Sequence, residues 1–141
     1  MFDELKKYKN NNHFFFSINE DLSKVCNAPN NIYGIYIIYA LTKGRVKLIY
    51  IESSGVLKKD GNIQLQNKGL YESIVNGEQN DQSHKKSWPI EMQKGDIEAL
   101  DIYWYETFNN ELQDIPNYIK AILLQRYYEL NGELPDWNEE Y

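Results

Sequence analysis

The chain is poor in the residues that staple, anchor or ligate. Of 141 residues only one is cysteine and two are histidine. Cys26 has no internal partner, so a disulfide framework is excluded and a reducing compartment is expected. His13 and His84 lie far apart, and neither has a Cys or His at metal-ligand spacing. Each reads as a surface or packing residue. No apolar run approaches the roughly 18 residues that span a bilayer. Residues 1–10 are charged and lack an apolar secretory core, so a soluble cytoplasmic protein with no membrane partner is expected. Glycine-rich phosphate loops are missing too. Ser53-Ser54-Gly55 stands alone, without the lysine a nucleotide site would need.

What is present is apolar and aromatic. The hydrophobic fraction is 42%, and 12 tyrosines carry much of a 14% aromatic content. That composition belongs to a globular chain able to bury a core, and the length fits one domain over 1–141. Positive charge is scarce overall, with a net charge of −6, but it is unevenly placed. Lys43 to Lys86 carries eight Lys/Arg against five acids, whereas Asp96 to Tyr141 carries eleven acids against Lys120 and Arg126. A basic middle could face a phosphate backbone, with Arg45, Lys68, Lys85 and Lys86 as candidates for nucleic-acid binding. Lys85-Lys86-Ser87-Trp88 adds an aromatic to two cations. The acidic final third suits a protein partner or an imitation of nucleic-acid charge.

Residues 1–30 read as a helical extension: a short helix from Asp3 to Lys9, the apolar Phe14–Phe16, and a helix opened by Asn19-Glu20-Asp21 that turns Leu22 and Val25 inward. The core is expected over 31–138. Ile32 to Leu41 and Val46 to Ile51 are apolar runs joined by Thr42-Lys43-Gly44, which predicts a β-hairpin covered on both faces. A polar loop follows from Ser53 to Lys68. Leu70 and Ile74 then fall at helical spacing before a stop at Gly77. Residues 78–86 are polar, and Trp88-Pro89 opens a short segment ending near Gly95. Leu100 to Phe108 alternates as a third strand. Pro116 opens a long helix with Ile119, Ile122, Leu123, Tyr127 and Leu130 in phase, stopped by Asn131-Gly132. The expectation is an α/β (α+β) domain: a small three-stranded, mainly antiparallel sheet flanked by helices.

Gly34-Ile35-Tyr36 on the first strand and Tyr50-Ile51 on the second resemble the two halves of the GIY-YIG nuclease signature. The succession of elements from Asn31 to Asn138, closing on Pro135-x-x-Asn138, is similar to that family's arrangement. The resemblance implies two tyrosines, Tyr36 and Tyr50, at an active centre where the first activates a water. It also implies an arginine on the next helix against the scissile phosphate, and a glutamate on the long helix holding a divalent metal. Tyr36, Tyr50, Gly34 and Asn138 match. Glu52 replaces the second glycine, Ser73 stands at the arginine position, and Lys120 stands at the glutamate position. The resemblance therefore implies a non-cleaving scaffold that acts by binding DNA or a protein such as a nuclease or another nucleic-acid enzyme, with no cofactor. Glu52 and Lys120, each reversed in charge from expectation, are expected either to pair with one another or to point separately to solvent. The alternative is a Mg- or Mn-dependent endonuclease that uses Glu52 as a relocated ligand and Arg45 or Lys68 as a relocated cation. An inhibitor using its acidic face is a third class.

Overall fold

A computed structural model describes residues 2–62 and 69–141. Its frame is an antiparallel sheet in the order β1-β6-β2-β3, formed by β1 (Asn11–Phe16), β2 (Tyr33–Thr42), β3 (Arg45–Ser54) and β6 (Ala99–Phe108). The α+β class holds, but the sheet has four strands where three were expected. The extra strand, β1, comes from the N-terminal stretch read as helical. Its first half is polar, and only Phe14 and Phe16 turn inward. The rest of that stretch is a 3-10 turn at Asp3–Lys7 and the four-residue α1 (Leu22–Val25), whose N-terminus Asp21 caps by accepting from the Ser23 amide.

β2 and β3 form the expected hairpin. Lys43 and Gly44 both have positive φ, 45° and 79°, the geometry of a two-residue turn that matches strand twist. Ile35, Tyr36, Ile37 and Ile38 are all essentially inaccessible, because β2 is central and both its faces are covered. On one face α2 (Leu70–Asn76) and α3 (His84–Lys94) pack Leu70, Ile74 and Trp88 against Tyr36, Ile38 and Trp104. On the other, α4 (Pro116–Asn131) packs Ile119, Leu123 and Tyr127 against Ile35, Ile37 and Ile51. Gly132 ends α4 in the left-handed conformation at φ 75°. Ile122 is only partly buried and Leu130 is exposed, so the apolar stripe of α4 is narrower than its sequence implies. Between α2 and α3 a two-residue ribbon pairs β4 (Glu78–Gln79) with β5 (Gln82–Ser83). α3 departs from the short segment expected at Trp88-Pro89: the helix runs through Pro89 and buries His84, Trp88 and Met92 at four-residue intervals. Among the described residues no helix is long and apolar enough to cross a membrane.

Two details fix the hairpin. Ile38 pairs with Tyr50 but Tyr39 pairs with Leu48, so Ile49 is an extra residue that bulges β3. The Trp137 amide donates to the Ile49 carbonyl at 2.8 Å, and the Asn138 side chain accepts from the Ile51 amide and donates to its carbonyl, both at 2.9 Å. The 135–138 segment thereby closes the outer edge of β3, which would otherwise offer unpaired backbone groups. Gly34 sits at a register shift against β6, where an added Cβ would lie 1.8 Å from the Tyr105 carbonyl oxygen. Gly34→Ala is expected to push β2 from β6 and cost about 3 kcal/mol, measured by urea unfolding; a loss under ~0.5 kcal/mol would show that the strands part freely.

Candidate functional site

Pairing in the hairpin sets Tyr36 opposite Glu52, and strand alternation puts Tyr50 on the same face. The two tyrosine rings meet edge-on with centroids 6.2 Å apart. α2 closes over them: the Ser73 hydroxyl lies 3.4 Å from the Tyr36 hydroxyl, which donates to the Ser73 carbonyl at 3.5 Å. The Tyr50 hydroxyl donates to Glu52 Oε2 at 3.1 Å. Lys120 reaches in from α4 and sets its ammonium 2.6 Å from Glu52 Oε1, which also accepts from the Ser53 amide at 2.9 Å. Asn138 holds the β3 backbone at Ile51, between Tyr50 and Glu52. Tyr36, Tyr50, Glu52, Ser73, Lys120 and Asn138 therefore form one connected cluster, and of the two possibilities for Glu52 and Lys120 the structure contains the ion pair.

The electrostatics of the cluster run against general-base chemistry. Burial drives the Tyr36 phenol well above its ordinary range, and neighbouring Tyr50 and Glu52 push the same way. Tyr50 is likewise raised, by burial first and Glu52 second. A useful base titrates near the working pH, and neither phenol does. Tyr36 is also 0% exposed, so a substrate could reach its hydroxyl only by displacing α2.

A divalent cation does not fit the donor set. Mg²⁺ or Mn²⁺ requires a near-octahedral shell of oxygens. Glu52 is the carboxylate at the centre, and its oxygens are engaged by an ammonium, a phenol and an amide. Among the described residues no three His, Cys, Asp or Glu side chains group to hold a metal.

Among the described residues the basic candidates lie apart from the cluster. Arg45 opens β3 seven residues before Glu52, roughly 23 Å along an extended strand, so it is not a relocated phosphate ligand. Lys85 and Lys86 are exposed on the first turn of α3. Lys68 lies outside the described residues. Ser53 and Ser54 hold local structure: the Ser54 hydroxyl accepts from the Gly34 amide, and the Ser53 hydroxyl contacts Asn117 at 3.4 Å.

His84, read from the sequence as a surface or packing residue, packs at the margin of the cluster. Its ring stacks on Trp88 at 4.3 Å and meets the Tyr50 ring edge-on at 6.1 Å. Nδ1 lies 3.0 Å from the Ile74 carbonyl, which can only accept, so Nδ1 carries the proton. Nε2 is buried without a hydrogen-bond partner among the described residues. Gly77 permits this close seating, since a Cβ there would come within 2.8 Å of the imidazole. Burial lowers the His84 pKa to about 4. The available sequence signal was its four-residue spacing from Trp88, hidden by Pro89.

Two clefts flank the cluster. One, of 650 Å³, is bounded by Ser53, Glu72, Ser73, Glu78 and Asn117. The other, of 670 Å³, is bounded by Tyr50, Glu52, Lys120, Asn138, Glu139 and Glu140 and shares Glu78 and Asn117 with the first. Among the described residues the second cleft carries Glu78, Glu139 and Glu140 beside the Glu52–Lys120 pair, so its wall is acidic. No family model matches the chain, and neither a curated protein nor a solved structure matches it.

Two outcomes follow from that geometry. Glu52 and Lys120 are 28% and 19% exposed, so breaking the pair strands a poorly hydrated charge. Lys120→Met is expected to cost about 2 kcal/mol, and the cycle with Glu52→Gln to return a coupling near 1 kcal/mol. Additive losses would mean the two do not support each other. His84 binds a proton more readily in the unfolded chain, whose ordinary value is 6.5, than in the fold. Its stabilising share is thus complete above pH 6.5 and declines as pH falls toward 4, by up to roughly 3 kcal/mol. His84→Gln should flatten the melting-temperature profile between pH 6.5 and 4.5; an unchanged slope would assign it to carboxylates.

Proposed function

We propose that this chain is a GIY-YIG-type scaffold whose centre has exchanged cleavage chemistry for an ion pair, and that it works by binding a protein partner. The observation that carries the reading is the Lys120 ammonium 2.6 Å from Glu52, where the resemblance calls for a metal-binding carboxylate beside a glycine. An ammonium at that point repels a divalent cation and neutralises the carboxylate that could attract one. Ser73 supplies no charge for a phosphate. Loss of a single charge-stabilising group costs about 10²–10³ in rate, and here both the cation and the metal ligand are replaced. The scaffold reading is supported by the hairpin, the edge-on contact of the Tyr36 and Tyr50 rings, and the return of Asn138 to the second strand.

Binding to a protein is preferred over binding to DNA because the cleft beside Tyr50 is walled by Glu78, Glu139 and Glu140, which repel phosphate. A DNA role would have to use Lys85 and Lys86, exposed together on α3. Affinity falling steeply with salt would mark it.

Plasmid nicking with Mg²⁺ or Mn²⁺ tests the reading. The natural chain is expected to nick at least ~10²-fold more slowly than a variant carrying Glu52→Gly, Ser73→Arg and Lys120→Glu, whose fold is checked by circular dichroism. Metal-dependent nicking by the natural chain, abolished by Tyr36→Phe, would overturn it.

A further inference from the structure

The face of the sheet opposite Tyr36 and Trp104 is only half covered. α4 lies over β2 and β3, and the 3-10 turn brings Leu5 and Tyr8 against Ile37 and Tyr105. Over β1 and β6 nothing among the described residues completes the cover. Strand alternation brings His13 and Phe15 of β1, Asp101 and Tyr103 of β6, and Tyr39 of β2 onto this face. The rings are ordered against one another. His13 lies flat on Tyr103, centroids 4.6 Å apart at 9°, Phe15 stands edge-on to His13 at 5.5 Å, and Tyr39 edge-on to Tyr103 at 5.6 Å. Phe15 is 53% exposed.

A carboxylate stands in the middle of these rings. Asp101 pairs in register with Phe15 on one side and Tyr39 on the other, and its side chain is only 12% exposed. His13 Nδ1 holds Oδ1 at 2.7 Å. The Tyr103 hydroxyl also interacts with this carboxylate. A carboxylate has about four acceptor positions, so His13 and Tyr103 leave room for a further donor. Ring faces carry negative quadrupole charge, and around a recessed carboxylate they make a surface that favours cations and is poorly hydrated. A guanidinium suits it best, because its flat faces stack on rings while its edge donates to a carboxylate. Nucleic-acid bases could also stack on the rings, but their phosphates would need cations here. Lys6, at the adjoining hollow formed with Tyr39 and Tyr105, is already paired with Asp3 at 3.2 Å.

We propose that the β1–β6 face is a docking site for an arginine-bearing segment of a protein partner, with Asp101 as counter-ion and Phe15, Tyr39 and Tyr103 as the stacking surface. It is separate from the Tyr36–Tyr50 cluster, so it stands whether or not the chain cleaves DNA. The charge of −6 on the whole chain assists the approach of such a segment.

The test titrates the full chain with a hexa-arginine peptide at physiological salt and follows backbone amides by NMR. Hexalysine and a thymidine oligonucleotide run in parallel. Hexa-arginine is expected to shift amides of residues 13–15 and 101–105 and to bind more tightly than hexalysine. Asp101→Asn and Phe15→Ser should each weaken it at least tenfold, while Glu139→Gln with Glu140→Gln leaves the shifts on β1 and β6. Phe15→Ser alters an exposed side chain and keeps the test decisive if Asp101→Asn fails to fold. The proposal is overturned by shifts confined to the acidic 133–141 segment, by unchanged affinity in the folded variants, or by tighter binding of the oligonucleotide on this face.

Discussion

Everything in this fold is organised by the double burial of β2. A central strand with four consecutive inaccessible residues, Ile35 to Ile38, requires apolar cover above and below. α2 and α3 supply it on one side and α4 on the other. That demand fixes which residues meet. Tyr36 must face α2 and so meets Ser73, while its cross-strand neighbour Glu52 comes within reach of Lys120. The chemistry of the cluster follows from packing the strand, and the side chains then decide what the cluster can do.

What they do is neutralise one another. The same low-dielectric surroundings that would sharpen an active centre keep the phenols protonated and His84 neutral. A lone, partly covered carboxylate there would be costly, and Lys120 offsets that cost. The pair is best understood as the consequence of placing a glutamate where strand pairing leaves little water. Removing either partner alone would leave an uncompensated charge.

The sequence made the hairpin plain, because Lys43-Gly44 between two apolar runs has few other outcomes. It made α4 plain as well, through Pro116, Gly132 and the spacing of Ile119, Leu123 and Tyr127. The ion pair could be reasoned toward from two reversed charges. β1 was hidden because half its residues are polar and its partner, β6, lies about ninety positions away. α3 was hidden by a proline that the helix tolerates, and with it went the placement of His84. The aromatic face of β1 and β6 was out of reach for the same reason as β1: His13, Phe15, Asp101 and Tyr103 share a surface only once the register is known.

Asparagine amides bond to backbone groups at both edges of the sheet. Asn138 engages the Ile51 amide and carbonyl on β3. On β1 the His13 amide donates to Asn12 and its carbonyl accepts from Asn27. An amide side chain imitates a strand because it offers a donor and an acceptor together. It is also the side chain that hydrolyses with age. Conversion of Asn138 to aspartate would leave a carboxylate facing the Ile51 carbonyl and expose the edge of β3 to a neighbouring molecule. The durability of this sheet against polymerisation is thus set by the shelf life of a few amides as well as by its folding free energy.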